Sequence, residues 1–330
     1  MHYVVSLLPV ILFLAFLIYI DSFKLVKPRI IVLCFFYGIA MTVAAYFFNT
    51  WFCDVLQIPF QQYSRYVAPF SEELLKIGIV LILIFKKKTG FMIDGAIYGF
   101  AVGAGFSLAE NIYYIMNVTD INILIWVVRG FGTAIMHGGT TALLSVIIMS
   151  AVQREKSPLL GFAFGLILAC SLHSLYNHFL VSPLISTLLI LILLPVIMVF
   201  IFNRNENMLQ QWLEIEFDTE VKLLAKIRHG EFLDTKAGIY LLSVKEKFTP
   251  EIVLDMYCFI GLYLELSIKA KRNMMLKENG FPILIESDVD TKLVELDSLK
   301  KQIGKIGWIT LSPLIRMNYR DLWKLNQLKE

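Results

Sequence analysis

Long apolar runs separated by short polar connections occupy the first two-thirds of the chain, and a more polar pattern follows. A helix needs about 20 predominantly apolar residues to cross the hydrocarbon core of a bilayer. The runs reach or approach that length, so the sequence predicts an all-α fold, a polytopic membrane helix bundle of about seven spans. The predicted spans are residues 3–20, 30–48, 66–85, 91–116, 131–152, 158–180 and 183–202.

The pattern changes after Phe202, where no apolar run of spanning length remains. Residues 208–228 and 249–277 have the periodicity of amphipathic helices with polar faces. We therefore predict two domains, a transmembrane bundle over residues 1–202 and a helical cytoplasmic tail over residues 203–330. The tail contains no catalytic motif, and two interpretations stay open for it: a solvated helical domain, or a docking domain for a cytoplasmic partner.

Composition and charge also indicate a membrane protein. The 330 residues are 57% hydrophobic and 17% charged, with a mean hydropathy of +0.68, which excludes an ordinary soluble domain. Basic residues follow the first, third and fifth spans and are frequent in the tail, whereas the other connections hold only Arg65 and Arg129. The positive-inside rule then predicts a multi-pass protein of the cell (plasma) membrane, with its N-terminus outside and its tail in the cytoplasm. The net charge of +3 gives no reason to expect a nucleic-acid partner.

A few polar side chains interrupt the apolar spans, although a charged group at the centre of a spanning helix costs about 3 kcal/mol. Each one has an ordinary structural explanation. A Glu and a Lys can form an ion pair along a helix, a carboxylate can lie at the membrane interface, and a histidine can be satisfied inside the core. The residues are Glu72, Glu73 and Lys76 in the third span, Glu110 in the fourth, His137 in the fifth, and His173 and Asn177 in the sixth.

The depth of these residues connects them. Because successive spans run in opposite directions, Glu72 and Glu73, early in the third span, fall at the same end as Glu110, late in the fourth. His137, near the start of the fifth span, and His173, near the end of the sixth, fall at that level too. A rise of 1.5 Å per residue places this layer within about 10 Å of the outer surface. We therefore expect these helices to build one polar site there.

The residue types in this layer suit hydrolysis. A carboxylate beside a second carboxylate in a site of low dielectric can act as a general base that takes a proton from water and returns it to a leaving amine. A histidine can orient that water, and the side-chain N–H of an asparagine can donate to a developing oxyanion. No serine or cysteine has an obvious nucleophile arrangement, and the four cysteines show no CxxC spacing. We expect an activated water and no cofactor, with zinc as the second choice because the HExxH motif is missing.

The order and type of these residues resemble a known family, the PrsW-type glutamic intramembrane proteases, which are related to the CAAX prenyl proteases and to bacteriocin-processing proteins. The resemblance covers about residues 60–180 and includes the tract DGAIYGFAVGAGFSLAENIY. The CAAX relatives have His where Glu110 stands, which favours the PrsW branch. The matching motifs are Glu72-Glu73-x-x-Lys76, Phe106-x-x-x-Glu110, His137 and His173-x-x-x-Asn177.

The resemblance implies a membrane-embedded endopeptidase in which Glu72 activates the water and Glu73 supports it. Members of the family cut a membrane-anchored anti-sigma factor on its outer side, a site-1 step in regulated proteolysis. The expected partners are therefore a single-span membrane protein substrate and the lipid bilayer. The implied site residues are Glu72, Glu73, Glu110, His137, His173 and Asn177, with Lys76 and Phe106 in supporting positions.

Two other function classes stay open at this point. Proton-coupled transporters also carry acids and histidines in their spans, but along a pathway that predicts polar residues at several depths. A non-catalytic scaffold or immunity-type membrane protein would keep the fold without the chemistry, and the intact set of glutamates and histidines favours an enzyme instead. Solute flux without peptide-bond cleavage would indicate the transporter. A wild-type phenotype after replacement of all six site residues would indicate the scaffold.

Overall fold

The computed structural model describes residues 2–21, 24–117, 122–283, 286–315 and 317–328. Within these ranges the chain is helical with no β-strand, which confirms the predicted all-α fold. The chain divides into two compact units, Met1–Asn205 and Glu206–Glu330. The helices of the first unit are α1 (His2–Tyr19), α2 (Pro28–Leu56), α3 (Phe60–Tyr66), α4 (Ala68–Phe85), α5 (Met92–Asn117), α6 (Ile123–Val127), α7 (Ala134–Gln153), α8 (Pro158–His178) and the first part of α9 (Pro183–Arg228).

Six helical segments in the described ranges are long and apolar enough to cross a membrane, so the chain is a multi-pass membrane protein. They are α1, α2, α5, the run from α6 through α7, α8 and α9. Helix α4 has 18 residues but carries Glu72, Glu73 and Lys76, and it packs against α2, α5, α7 and α8. The side of the membrane on which each terminus lies, the count of seven spans and the domain boundary after residue 202 stay predictions.

Two helices are longer than their apolar runs predict. Helix α2 continues past Phe48 to Leu56, and α9 continues past Phe202 to Arg228 without interruption. The residues after Phe202, Asn203-Arg204-Asn205-Glu206-Asn207, contain neither proline nor glycine. Polar residues end the apolar pattern there without ending the helix, because they include neither the proline nor the glycine that commonly ends one.

Helix α5 is buried along most of its length between α2 and α7, and its glycines allow this closeness. A Cβ atom added to Gly99 or Gly103 would collide with backbone atoms of α7, including the carbonyl oxygen of His137 behind Gly103. On the other face, a Cβ at Gly105 would collide with the carbonyl oxygen of Phe35 in α2. Small residues at helix interfaces permit such backbone contact in membranes. The packing fixes His137 against α5, and so prepares the site.

The second unit is a helical tail with its own apolar core. Its α9 segment runs antiparallel to α11, since Lys271 on α11 lies 2.9 Å from Glu216 on α9, and Ser267 donates to Glu220 at 2.7 Å. Lys271 has no exposed surface, and a buried cation of this kind needs the anionic partners that α9 provides. The other helices of this unit are α10 (Lys236–Val244), α11 (Pro250–Glu278), α12 (Val289–Leu311) and α13 (Tyr319–Gln327).

Candidate active site

The site is formed where α4 begins, α5 ends, α7 begins and α8 ends, as the alternating direction of the spans predicts. Pro69 lies in the first turn of α4, a position that proline favours because its missing N–H is not needed there. Glu72 and Glu73 follow in the next turn, about 100° apart around the helix axis. The two neighbouring carboxylates therefore point at different groups, and the structure gives them different surroundings.

Glu73 is the buried anchor of the site, with no exposed side-chain surface. Its Oε1 atom lies 2.5 Å from Nζ of Lys76 and accepts a hydrogen bond from Thr140 at 2.9 Å. Its Oε2 atom accepts a hydrogen bond from Thr141 at 3.2 Å. A buried carboxylate needs such partners to offset the loss of water. With these contacts Glu73 holds α4 to α7 and offers no free face to a substrate.

His173 lies between the two glutamates and is 2% exposed. Its Nδ1 is 2.9 Å from Oε1 of Glu73, and its Nε2 is 3.8 Å from Oε2 of Glu72. The Glu73 carboxylate, which is paired with Lys76, accepts this hydrogen bond, so the proton of the neutral imidazole is on Nδ1. The lone pair of Nε2 is then directed to the side where Glu72 lies.

Glu72 is the more accessible member of the pair, with 16% of its side chain exposed. Its Oε1 accepts a hydrogen bond from Nδ2 of Asn49 at 3.2 Å. Asn49 belongs to α2 and is missing from the residues that the sequence predicts for the site. The apolar run of α2 stops at this asparagine, which makes it look like the start of a connection. The only signal is a polar amide at the end of an apolar helix.

Lys76 fixes the second histidine. Its Nζ lies 3.1 Å from Nδ1 of His137 and 5.0 Å from the centre of the Phe106 ring. The i,i+4 spacing also allows a pair with Glu72, but the observed ion pair is with Glu73. Because an ammonium group can only donate, Nδ1 of His137 accepts, and the ring proton is on Nε2. The Phe106 ring packs against the His137 ring with 5.2 Å between centroids, in the supporting position that the motif implies.

Glu110 closes the site on the α5 side, and 26% of its side chain is exposed. Its Oε2 lies 3.3 Å from Nε2 of His137, and its Oε1 lies 3.4 Å from Nη2 of Arg129. Arg129 is a second residue of the site that the sequence does not predict. In the sequence it is only a basic residue in a connection between two spans. It lies in a π-helical turn, Val128–Thr133, and such turns are frequent at functional sites.

Asn177 lies one turn beyond His173 on α8, but its amide has another partner. The Nδ2 atom of Asn177 donates to the backbone carbonyl of Ser64 in α3 at 2.9 Å. Ser174 on the same helix donates to the carbonyl of Arg65 at 2.6 Å. The two bonds attach the end of α8 to α3, and a direct part for Asn177 in catalysis stays a prediction.

Residues 27–203 match a family model described as PrsW family intramembrane metalloprotease, which is 177 of the 330 residues. The match contains each helix that contributes a side chain to the site. The chain belongs to the PrsW family. Searches of the curated proteins and of the solved structures found no significant match.

The description of the PrsW family as metalloproteases raises the question of whether this site fits a metal ion. Glu72, His137 and His173 each offer one ligand atom, and these atoms lie within 4.8 Å of one another. Carboxylate and imidazole are ligands that zinc takes in catalytic sites. His173 fits well, because a carboxylate on the distal ring nitrogen is the usual second partner of a zinc-bound histidine. This carboxylate is Glu73, at 2.9 Å from Nδ1.

His137 does not fit in the same way. With Lys76 donating to Nδ1, the proton on Nε2 faces Glu110, and neither nitrogen keeps a free lone pair for a metal. As arranged, this PrsW-family site therefore offers two metal ligands, Glu72 and His173, where a catalytic zinc normally takes three from the protein. The same arrangement places the partly exposed carboxylate of Glu72 beside the Nε2 lone pair of His173, which is what a general base and its water need.

Proposed function

We propose that this chain is an intramembrane endopeptidase in which the Glu72 carboxylate activates a water molecule to cut a membrane-anchored protein. The observation that carries the proposal is the contrast between two adjacent glutamates. Glu73 is fully buried and satisfied by its neighbours, whereas Glu72 is partly exposed beside the free Nε2 of His173. A general base must reach the proton that it removes. Glu110 is partly exposed too, but its neighbour His137 faces it with an N–H, so Glu72 is the partly exposed carboxylate of the site that lies beside a histidine lone pair.

The reaction is a balanced hydrolysis. A water bound between Oε2 of Glu72 and Nε2 of His173 gives one proton to Glu72 while its oxygen attacks the carbonyl carbon of the peptide bond. The resulting tetrahedral intermediate collapses as Glu72 passes that proton to the amide nitrogen, and the C–N bond breaks. The products are a carboxylic acid and an amine. Glu73 and Lys76 keep the rings of His173 and His137 in place during this step.

The substrate that we propose is a single-span membrane protein, similar to an anti-sigma factor, which is cut in a site-1 step near the outer face of the plasma membrane. Glu72 follows Ala68 by four residues and Glu110 precedes Asn117 by seven. The two acids thus lie about 6 Å and 11 Å from the ends of their helices, which supports cleavage near a membrane surface. The basic connections support a cytoplasmic location for the tail, where it can bind a cytoplasmic partner.

A metal-dependent hydrolase is the second candidate, favoured by the family description and by the closeness of Glu72, His137 and His173. Glu72 and His173 would hold the ion, and His137 would join them once it no longer accepts from Lys76. A bound zinc would supply a Lewis acid that makes its water acidic enough to attack at neutral pH. The steps above assign no part of the reaction to a metal.

The proposal is tested with the full chain and a tagged panel of single-span proteins in membranes. Candidate substrates are membrane proteins whose outer domain is released in wild-type cells and retained in cells with Glu72→Gln. We expect Glu72→Gln to lower cleavage by about 100- to 10,000-fold, the range for loss of a general base. Glu155→Gln, at an exposed acid beyond the far end of α7, is the matched control and should cleave normally.

Cleavage at the wild-type rate by both Glu72→Gln and His173→Ala would exclude this function. Solute flux that depends on Glu110, without any peptide-bond cleavage, would favour a transporter. The new terminus of the product, read by mass spectrometry, identifies the bond that is cut.

A further inference from the structure

The side-chain amide of Asn49 has a fixed orientation next to the carboxylate of Glu72. Its Oδ1 accepts hydrogen bonds from the Tyr63 hydroxyl at 3.0 Å and from the Ser71 hydroxyl at 2.6 Å. Its Nδ2 donates to Oε1 of Glu72 at 3.2 Å. The three partners come from α3 and α4, so the end of α2 is tied to both helices at this point.

These contacts leave one orientation for the amide. If it were rotated by half a turn, Oδ1 would face the Glu72 carboxylate, and two acceptors would oppose each other. Tyr63 is 1% exposed and Ser71 is 7% exposed, so water does not replace their hydrogen bonds easily. Ser71 also lies 3.0 Å from the carbonyl oxygen of Ala68, which keeps its hydroxyl near the start of α4. The amide N–H therefore always meets the same carboxylate.

We propose that Asn49 is a positioning residue that acts through Glu72. By holding Oε1, the amide leaves Oε2 on the side where Nε2 of His173 lies 3.8 Å away. The two oxygens then have separate tasks, one anchored to α2 and the other turned to the reacting water. Tyr63 and Ser71 support the same geometry by holding the amide. This inference rests on the proposed protease function and adds residues to its machinery.

A double-mutant cycle tests the inference in the full chain with a cleaved substrate. Asn49→Ala should lower kcat by roughly 10- to 100-fold, the value of a hydrogen bond to a charged group. KM should change little, because Asn49 contacts the base and not the substrate. Tyr63→Phe should lower kcat in the wild-type background and have no further effect in Asn49→Ala, since its action passes through the amide.

The same panel separates failure of this inference from failure of the function. Cleavage by Glu72→Gln at the wild-type rate would remove the protease mechanism itself. An inactive Glu72→Gln beside a fully active Asn49→Ala, or additive effects of Asn49→Ala and Tyr63→Phe, would overturn only the role of Asn49. If Asn49→Ala does not fold, Tyr63→Phe and Ser71→Ala carry the test, because each removes one hydroxyl and leaves the amide in place.

Discussion

The Nδ1 atom of His173 lies 2.9 Å from Oε1 of Glu73, which is 100 residues earlier in the chain. This contact joins α8 to α4 and fixes which nitrogen of the ring carries the proton. It also explains why two adjacent glutamates have different tasks. Glu73 is committed to His173 and Lys76, whereas Glu72 keeps one oxygen for chemistry. Replacing each glutamate in turn tests this division.

Glu73→Gln should destabilise the protein more than Glu72→Gln does. Replacing Glu73 leaves Lys76 as a buried cation without its anion, which costs about 3–5 kcal/mol. Glu72 is partly exposed and contacts no lysine or arginine among the described residues, so its replacement should change the melting temperature little. Thermal unfolding of the purified proteins in detergent measures both. The double variant Glu73→Gln with Lys76→Met should regain stability without regaining activity. Wild-type stability of Glu73→Gln alone would contradict the buried ion pair.

Metal removal tests the two candidate mechanisms. Because Lys76 donates to Nδ1 of His137 and the proton on its Nε2 faces Glu110, we expect the purified enzyme to hold less than one equivalent of metal and to keep its activity in strong chelators. Elemental analysis and the cleavage rate before and after chelation are the measurements. Loss of activity on chelation that zinc restores, and magnesium does not, would instead establish the metal-dependent hydrolase.

Gly103→Ala should disturb the active site by displacing the backbone of His137. An added Cβ at this glycine collides with the carbonyl oxygen of His137, so α5 and α7 must separate where His137 meets Lys76. We expect a loss of about 1–3 kcal/mol in stability, typical of overpacking, together with loss of cleavage. Gly261→Ala is the control, since the nearest atom to its Cβ is 3.9 Å away and alanine favours a helix. Equal stability of the two variants would contradict the close packing.

The sequence predicts the convergence of Glu72, Glu73, Glu110, His137 and His173, because alternating span direction and depth are both readable from an apolar pattern. The same reasoning does not predict Asn49. The apolar run ends at this residue while the helix continues to Leu56, so a boundary set by hydropathy excludes it. Hydropathy locates the part of a helix inside the lipid, whereas backbone hydrogen bonding sets where the helix ends.

The role of Arg129 and the partner of Lys76 cannot be predicted from the sequence for other reasons. A π-helical turn adds a residue to the helical repeat, so a period of 3.6 residues does not show which way Arg129 points. For Lys76, carboxylates three and four residues earlier are both within reach, and the choice of Glu73 depends on tertiary contacts with Thr140 and His173. Local spacing permits several pairs, and packing selects one of them.

The tail should lose stability in acid. Hydrogen bonds from Arg272 and Lys269 lower the pKa of Glu286, and a hydrogen bond from Lys292 lowers the pKa of Asp288. A carboxyl group whose pKa is lower in the folded state contributes stability above its unfolded pKa and loses it as the pH falls through the folded value. We therefore expect weaker hydrogen-exchange protection of α11 and α12 below about pH 4, near the unfolded pKa of these groups.

Lys292→Met provides the control for this pH dependence. It removes the cation that contacts Asp288 at 2.6 Å, whereas Lys269 stays 3.3 Å from the same carboxylate. The contribution of Asp288 should therefore be smaller at neutral pH, and the pH dependence should be shallower. Protection in the wild-type protein that does not change between pH 7 and pH 3.5 would contradict this assignment.

Arg129→Ala should lower activity while leaving the fold intact. The guanidinium group stacks on Tyr114 at 3.5 Å from the ring centre, donates through Nε to Asn111 at 3.0 Å, and places Nη2 3.4 Å from Glu110. Without it, Glu110 loses the cation that balances its charge beside His137, and we expect kcat/KM to fall roughly 10- to 100-fold. Added guanidine should restore part of the activity of Arg129→Ala, because it can fill the space that the guanidinium group leaves. It should restore none of the activity of Glu72→Gln.

Arg154→Ala, in the connection after α7, is the control and should cleave at the wild-type rate. An unchanged rate in Arg129→Ala would show that Arg129 does not contribute to the active site.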